Sequence, residues 1–336
     1  MALRVGINGF GRIGRCVLRA GINNSDIEFV GINDLTSNES LAYLLKYDSV
    51  HKVFDGTVTH DAEGITVNGK KIPISEERDP AAIRWKEWGA DVVFESTGLF
   101  LKSSDAGKHL AGGAKFVILS APAKSDDIKT IVYGVNHETL DFNVDKVISN
   151  ASCTTNCLAP MTKVIDDNFG IIQGLMTTIH SYTNDQALLD SPHRKDLRRG
   201  RAAALSMVPT STGAAAAVGK VLPNLKGKLD GLAIRVPTPN VSLTDLTCTL
   251  NKPASVAEVN AVIKAAAEGS LAGIIDYCED PIVSIDANGN PHSCVFMPDQ
   301  VRVMGNMLKV LAWYDNEWGY SNRMLDLARY LKSKTM

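Results

Sequence analysis

The sequence predicts an α/β protein: a doubly wound, mostly parallel sheet followed by an α+β domain whose sheet is largely antiparallel. Three observations predict it. Up to about residue 150, short β-rich runs alternate with amphipathic segments, the rhythm of βαβ units with helices on both faces of a parallel sheet. A G-x-G-x-x-G turn follows the first of those runs directly. Beyond residue 150 the β-rich runs lengthen, the texture of strands paired mainly antiparallel.

The elements follow in order. Strands are expected at 3–8 (LRVGIN), 27–33 (IEFVGIN), 91–97 (DVVFEST), 115–121 (KFVILSA), 130–135 (TIVYGV) and 146–150 (KVISN). Residues 11–23 place Ile13, Val17 and Leu18 on one helical face. The second half offers longer runs at 171–180, 231–237, 241–250 and 307–315, a helical pattern at 255–267 and a last amphipathic segment at 317–333. The stretch 181–211 reads as a long loop, and long loops in compact domains usually serve function.

Composition narrows the classes. With 336 residues, 45% apolar and 21% charged, the chain is of ordinary globular type and long enough for two domains. A formal net charge of −2, from 35 basic and 37 acidic residues, gives no general attraction to nucleic acid or an anionic membrane, so neither is expected as a primary partner. No apolar run approaches the ~18–20 residues of a membrane span, and no basic-then-apolar leader opens the sequence; a cytoplasmic location is the expectation. Six scattered cysteines point to free thiols rather than a disulfide framework.

The segment INGFGRIG carries Gly9, Gly11 and Gly14. In a Rossmann-type unit the first glycine allows the tight turn, the second lets a pyrophosphate approach the backbone and the third lets helix and strand pack closely. Phosphate then meets the free N–H groups near Arg12 and Ile13. A glycine-rich turn alone would be a weak signal, but Asp34 ends the second β-run 20 residues past Gly14, where an acid holds the ribose hydroxyls and repels a 2′-phosphate. NAD is the expected cofactor.

SNASCTTNC (149–157) sets a thiol among small polar residues. Cys153 follows a strand and precedes the helical pattern Leu158, Met161, Val164, Ile165, which places it at a helix N-terminus where free N–H groups favour thiolate and can stabilise an oxyanion. Two other readings compete: a buried structural thiol, which suits Cys157 better, and a metal ligand, for which no second ligand pair exists at usable spacing. No metal is expected. Of seven histidines, His180 ends a rigid run and faces the polar loop, which makes it the candidate base; His51, His60, His109, His137, His193 and His292 read as solvated. PTSTGAAAAVGK places Thr212 and Gly213 before a helix, as an anion site or a plain cap. Arg235 lies within the apolar run LAIRVP, and a charge so placed wants an anionic partner.

INGFGRIGR, LKYDSVH, STGLF, SAPAK, SNASCTTNCLAP, TTIHSYTNDQ, PTSTGAA, RVPTPNVS and WYDNEWGYSNRM together resemble, in order and over nearly the whole chain, the phosphorylating glyceraldehyde-3-phosphate dehydrogenases. The resemblance implies that Cys153 attacks the aldehyde, that His180 takes the hydroxyl proton as hydride leaves for NAD, and that inorganic phosphate cleaves the thioester to 1,3-bisphosphoglycerate, a step of glycolysis. It implies Arg12, Ile13, Asp34, Arg78, Ser120 and Asn316 at NAD, and Thr183 and Arg235 at the substrate phosphate. Ser152, Thr154, Arg199, Thr212 and Gly213 would line the attacking-phosphate site. It further implies a homotetramer, a cofactor-binding domain at 1–151, a catalytic domain at 152–315 and a C-terminal helix, 316–336, packed back on the first domain.

Departures and rivals remain. Ala216 stands where many relatives carry lysine, Gly200 replaces a common alanine in the basic cluster, Ser191 replaces a frequent leucine before Pro192, and one extra residue before the basic cluster leaves either Arg198 or Arg199 for the phosphate role, with Arg199 preferred. Erythrose-4-phosphate dehydrogenase is the rival activity; a non-catalytic nucleotide- or RNA-binding role is the rival class, and the absence of a basic stripe argues against it.

Overall fold

The structure is a computed structural model that describes residues 2–335. It divides into two compact units, one built from residues up to 133, 137–151 and 321 onward, the other from 134–136 and 152–320.

In the first unit a nine-stranded sheet runs in the order Lys129–Thr130, Val147–Ser149, Phe116–Leu119, Val92–Glu95, Leu3–Asn8, Ile27–Asn33, Lys70–Ser75, Gly64–Val67, Val58–Asp61. The first seven pair in parallel and the last two close an antiparallel meander. Val92–Glu95 and Phe116–Leu119 are buried at every residue, as strands covered on both faces must be. From Leu3–Asn8 the chain builds outward first to one side and then to the other, a topological switch point, and such points bind ligands at the carboxyl ends of strands. Helix Arg12–Gly21 starts there and buries Cys16, Val17 and Leu18.

The run at 130–135 departs from expectation. Only Lys129–Thr130 is strand; Ile131 and Val132 are buried in irregular chain, and Gly134 turns with φ +84°. Burial, not pairing, explains its apolar character. The meander at 58–75 carries little sequence signal because its outer strand is polar and exposed.

In the second unit an eight-stranded, mostly antiparallel sheet runs Val208–Ser211, Leu229–Val236, Ile171–Ser181, Ser242–Leu250, Met307–Tyr314, Cys294–Phe296, Ile275–Tyr277, with Arg302–Met304 paired to Met307–Tyr314. Two neighbouring pairs are parallel. Ser242–Leu250 alternates buried and half-buried without a break, because one face packs on helix Cys153–Phe169. That helix also touches helices Ala214–Val221 and Val256–Glu268. The opposite face leaves Leu175 and Leu232 exposed. The supposed loop at 181–211 contains the short helix Leu197–Gly200 and the strand Val208–Ser211. Helix Trp318–Thr335 begins in this unit and continues into the first, where Arg329 pairs with Asp26 at 2.7 Å.

Candidate active site

The glycine turn is shaped for a ligand's close approach. Gly9 has φ +89°, and a Cβ there would lie 2.7 Å from the Thr97 nitrogen; a Cβ on Gly14 would lie 2.4 Å from the Gly9 carbonyl. Gly11 meets nothing within 4 Å, so its open side is where a pyrophosphate can reach the backbone. As helix N-cap it supplies no side-chain bond, and no acid occupies the first turn, so the N–H groups around Arg12 and Ile13 remain suited to an anion. The Asp34 carboxylate accepts the N–H of Phe10 (2.7 Å) and of Thr36 (2.9 Å), which holds it next to the turn. This donor set fits a dinucleotide.

Other residues expected at the cofactor divide. The Arg12 guanidinium is engaged by Asp48 at 3.0 and 3.2 Å, which leaves its backbone as the part facing an anion. Arg78 is exposed just after strand Lys70–Ser75. Ser120 is half-buried, its N–H given to the Glu95 carbonyl at 2.9 Å. Asn316 belongs to the second unit, where its Oδ1 accepts the hydroxyls of Ser181 and Ser242, each at 2.9 Å; the amide NH₂ is thereby the end left to donate.

The thiol is placed by a strained turn. Ala151, buried, has φ +55°, a conformation costing an alanine roughly 1 kcal/mol. The Ser149 hydroxyl takes its N–H at 3.1 Å. Ser152 then caps the 17-residue helix, its Oγ accepting the Thr155 N–H at 3.0 Å. Cys153 is the first helical residue, and its Sγ lies 3.6 Å from His180 Nε2.

His180 sits near the end of strand Ile171–Ser181, 5% exposed, its Nδ1 2.7 Å from the Ser181 carbonyl. Arg235, in register with His180 on the neighbouring strand, donates to the same carbonyl at 3.0 Å and to Thr183 Oγ1 at 3.3 Å, and also lies 3.0 Å from Nδ1. The carbonyl can only accept and the guanidinium only donate; because the carbonyl contact is the shorter and Arg235 Nη1 already has that same carbonyl as acceptor, we assign the imidazole proton to Nδ1, which leaves the Nε2 lone pair facing sulfur. Arg235 has no carboxylate partner among the described residues, and its Nε is buried without a partner.

Electrostatics corrects one expectation. Burial pushes the Cys153 thiol above its ordinary value, opposed by Arg235 and by donors from Thr154 and from Cys153's own backbone. Burial, then Arg235, lowers His180 to about 3. The helix N-terminus therefore does not ionise the sulfur by itself, because desolvation outweighs it. Burial thus works against charge on both members of the pair, and a proton passing from sulfur to Nε2 would leave their net charge unchanged.

The residues expected at phosphate differ in setting. Thr154 is buried, its hydroxyl on Tyr314 Oη at 2.8 Å. Arg199 is half-buried and bonds Thr210 Oγ1 (2.8 Å), the Ser211 carbonyl (3.1 Å) and Asp185, whereas Arg198 is exposed. Thr212 accepts the Ala214 N–H at 3.2 Å, and Gly213 caps helix Ala214–Val221 with open space at its Cβ.

Two residues escape the sequence reading. Tyr314 joins Thr154 and Thr178 through its hydroxyl, each at 2.8 Å, and its ring stands edge-on to His180 at 6.0 Å. Its inward parity in the alternating run MLKVLAWY is the available signal. His109, expected to be solvated, is completely buried against Glu95 and Trp85; its small, polar neighbours in sequence give no hint of those distant partners. Cys157 is buried, in hydrogen-bond contact with the Cys294 thiol.

Comparison with known proteins identifies one family over most of the chain. The family profile described as glyceraldehyde 3-phosphate dehydrogenase, NAD binding domain, matches residues 3–103, and that of the C-terminal domain matches residues 152–316. Glyceraldehyde-3-phosphate dehydrogenase 1 of Bacillus cereus is 60% identical over 332 residues, covering 98% of this chain and 99% of the relative. The enzyme of Geobacillus stearothermophilus is 59% identical over 335 residues, 99% of each chain. Glyceraldehyde-3-phosphate dehydrogenase 2 of Streptomyces avermitilis is 56% identical over 333 residues, 98% of this chain and 99% of the relative.

Proposed function

Because this chain belongs to the glyceraldehyde 3-phosphate dehydrogenase family, we propose that Cys153 and His180 carry its oxidation of D-glyceraldehyde 3-phosphate to 1,3-bisphosphoglycerate. The chain is an NAD-dependent oxidoreductase of glycolysis. The observation that carries the catalytic reading is the 3.6 Å approach of Cys153 Sγ to the free lone pair of His180.

Sulfur attacks the aldehyde carbon as its proton passes to Nε2, and the oxyanion then takes that proton back to give a thiohemiacetal, which leaves the Nε2 lone pair free to accept the hydroxyl proton as hydride departs. N–H groups at the start of the Cys153 helix stabilise the developing oxyanion. Bound NAD supplies the hydride acceptor for the next step. His180 holds the proton of the collapsing hydroxyl, and the carbon left on sulfur is a thioester, which conserves the free energy of oxidation that a hydrated aldehyde would lose. Inorganic phosphate then attacks the thioester carbonyl, the acyl phosphate departs and Cys153 is regenerated. Arg235, without a carboxylate and reaching Thr183, supports the substrate-phosphate role of that pair. Ser152, Thr154, Arg199, Thr212 and Gly213 are assigned to the attacking phosphate; the half-buried setting of Arg199, against exposed Arg198, supports that choice. Asn316, Arg78 and Ser120 are assigned to NAD with the glycine turn and Asp34.

A homotetramer belongs to the same reading. The outward face of the second unit's sheet exposes Leu175 and Leu232, and Leu188, Leu189, Leu197, Leu205 and Met207 are exposed in the 181–211 segment, more apolar surface than a free protomer usually leaves open. A cytoplasmic location is supported by six free thiols. No helix among the described residues is long and apolar enough to cross a membrane. The test is NAD reduction with glyceraldehyde 3-phosphate and with erythrose 4-phosphate, each with and without phosphate. Phosphate-dependent turnover of the triose is expected; preferred, phosphate-independent turnover of the tetrose would replace this reading.

A further inference from the structure

Beside the glycine turn lies a buried carboxylate that the thiol chemistry does not use. Glu95 ends strand Val92–Glu95 and is wholly shielded from solvent. Its Oε2 accepts the Asn8 amide at 2.6 Å and lies 2.9 Å from His109 Nε2; its Oε1 accepts the Thr97 backbone N–H at 2.8 Å and the Thr97 hydroxyl. The other nitrogen of His109 fixes the histidine's role. Trp85 Nε1, which can only donate, bonds Nδ1 at 3.0 Å, so the ring carries its proton on Nε2 and gives it to Glu95. Four neutral donors converge on one carboxylate. A glutamine would be cheaper to bury, but its NH₂ would face donors on one side or the other. The donor set requires a side chain that only accepts.

The groups tied together are those expected to hold the dinucleotide. Asn8 immediately precedes Gly9, and its Oδ1 accepts Asn33 Nδ2 at 2.8 Å. Asn33 precedes Asp34, and its Oδ1 accepts the Ser75 hydroxyl and the Glu77 N–H, both at 2.8 Å, on the approach to Arg78. Thr97 abuts Gly9. The Glu95 carbonyl holds the Ser120 N–H. One residue thus links the carboxyl ends of several strands at the switch point, where such sheets bind their ligands.

We propose that Glu95 is a positioning residue for NAD: through Asn8 and Thr97, with His109 locked by Trp85, it fixes the glycine turn relative to Asp34 before the ligand arrives. Preorganisation of this kind raises affinity by removing ordering costs from binding. The inference rests on the glycine turn being the NAD site.

The test is calorimetric titration of the full-length chain with NAD. Glu95→Gln is expected to raise Kd about ten-fold or more, while iodoacetamide labels Cys153 in the NAD-free protein at the wild-type rate. Asn8→Asp alone sets two carboxylates face to face and also weakens binding. Combining Asn8→Asp with Glu95→Gln moves the charge across one hydrogen bond. The carboxylate then at position 8 can accept from the amide introduced at position 95, from Asn33, and from His109 Nε2, which lies 3.5 Å from the Asn8 nitrogen in the native chain. The double variant is expected to recover most of the lost affinity, a rescue that a merely structural role does not predict. Thr97→Val removes one hydroxyl donor and is expected to cost a few-fold, which carries the test if Glu95→Gln fails to fold. Native NAD affinity in Glu95→Gln, or in Thr97→Val where Glu95→Gln does not fold, overturns the inference whatever happens to Tm, as does a double variant no tighter than Glu95→Gln. Failure of the native chain to bind NAD would instead remove the site itself.

Discussion

The glycine turn and the thiol centre solve opposite problems. At the turn, the proposed function is a matter of backbone: side chains are absent at Gly9, Gly11 and Gly14, and a helix N-terminus without an acid in its first turn suits an anion. At the thiol centre, function depends on side chains whose charge is suppressed by burial, with sulfur, imidazole and guanidinium all displaced from their ordinary pKa values. The first site is written in one contiguous stretch. The second is assembled by helix packing and strand pairing from residues 27 and 55 positions apart.

That contrast is open to attack in order of expected effect. Cys153→Ser is expected to cut turnover by roughly 10⁴-fold or more while NAD still binds; steady-state kinetics beside NAD titration checks it, and surviving turnover would dissolve the thiol centre as described. His180→Asn removes the proposed base and is expected to lower kcat by about 10²–10⁴-fold.

Arg235→Gln is expected to lower kcat/KM for glyceraldehyde 3-phosphate by about 10²-fold. It is expected to lower that for unphosphorylated glyceraldehyde far less, since the substrate's phosphate is then absent. Equal losses on both aldehydes would assign Arg235 to the imidazole rather than to phosphate.

Gly11→Ala isolates the other region. Its Cβ meets open space, so stability is expected to change little, yet NAD affinity is expected to fall about ten-fold because the methyl group occupies the line of approach. The alkylation rate of Cys153 without NAD is the control expected to stay constant.

A smaller effect concerns pH. His180 has a folded pKa near 3 against an ordinary value of 6.5, so between those values the unfolded chain binds the extra proton and the folded chain does not. Its contribution to stability is full above about pH 6.5 and is lost as pH falls toward 3. Urea midpoints of native protein are therefore expected to drop more steeply over that window than those of His180→Asn. Parallel curves would show that the imidazole is not held neutral. The smallest change is Tyr314→Phe, which leaves the Thr154 and Thr178 hydroxyls without their shared partner and is expected to cost about 1–3 kcal/mol with a modest loss of kcat.

Much of the molecule is legible in the sequence because local rules suffice. The glycine spacing, Asp34 after the second strand and Cys153 on the first turn each depend on neighbours a few residues away. What escapes depends on long-range pairing: Tyr314 meets Thr154 across 160 positions, and His109 is buried by Trp85 and Glu95 although its own segment is small and polar. The direction in which the sulfur's pKa is displaced departs from expectation for a related reason. A helix N-terminus is visible in sequence, whereas the burial that opposes it is set by the packing of the whole unit.

The most direct test traps the acyl group. With NAD and glyceraldehyde 3-phosphate but no inorganic phosphate, mass spectrometry of a rapidly quenched digest is predicted to find one phosphoglyceroyl thioester per chain, on the peptide carrying Cys153, and added phosphate is predicted to discharge it as acyl phosphate. An adduct on a different cysteine, or one equivalent of NADH formed with Cys153 unmodified, would contradict the account.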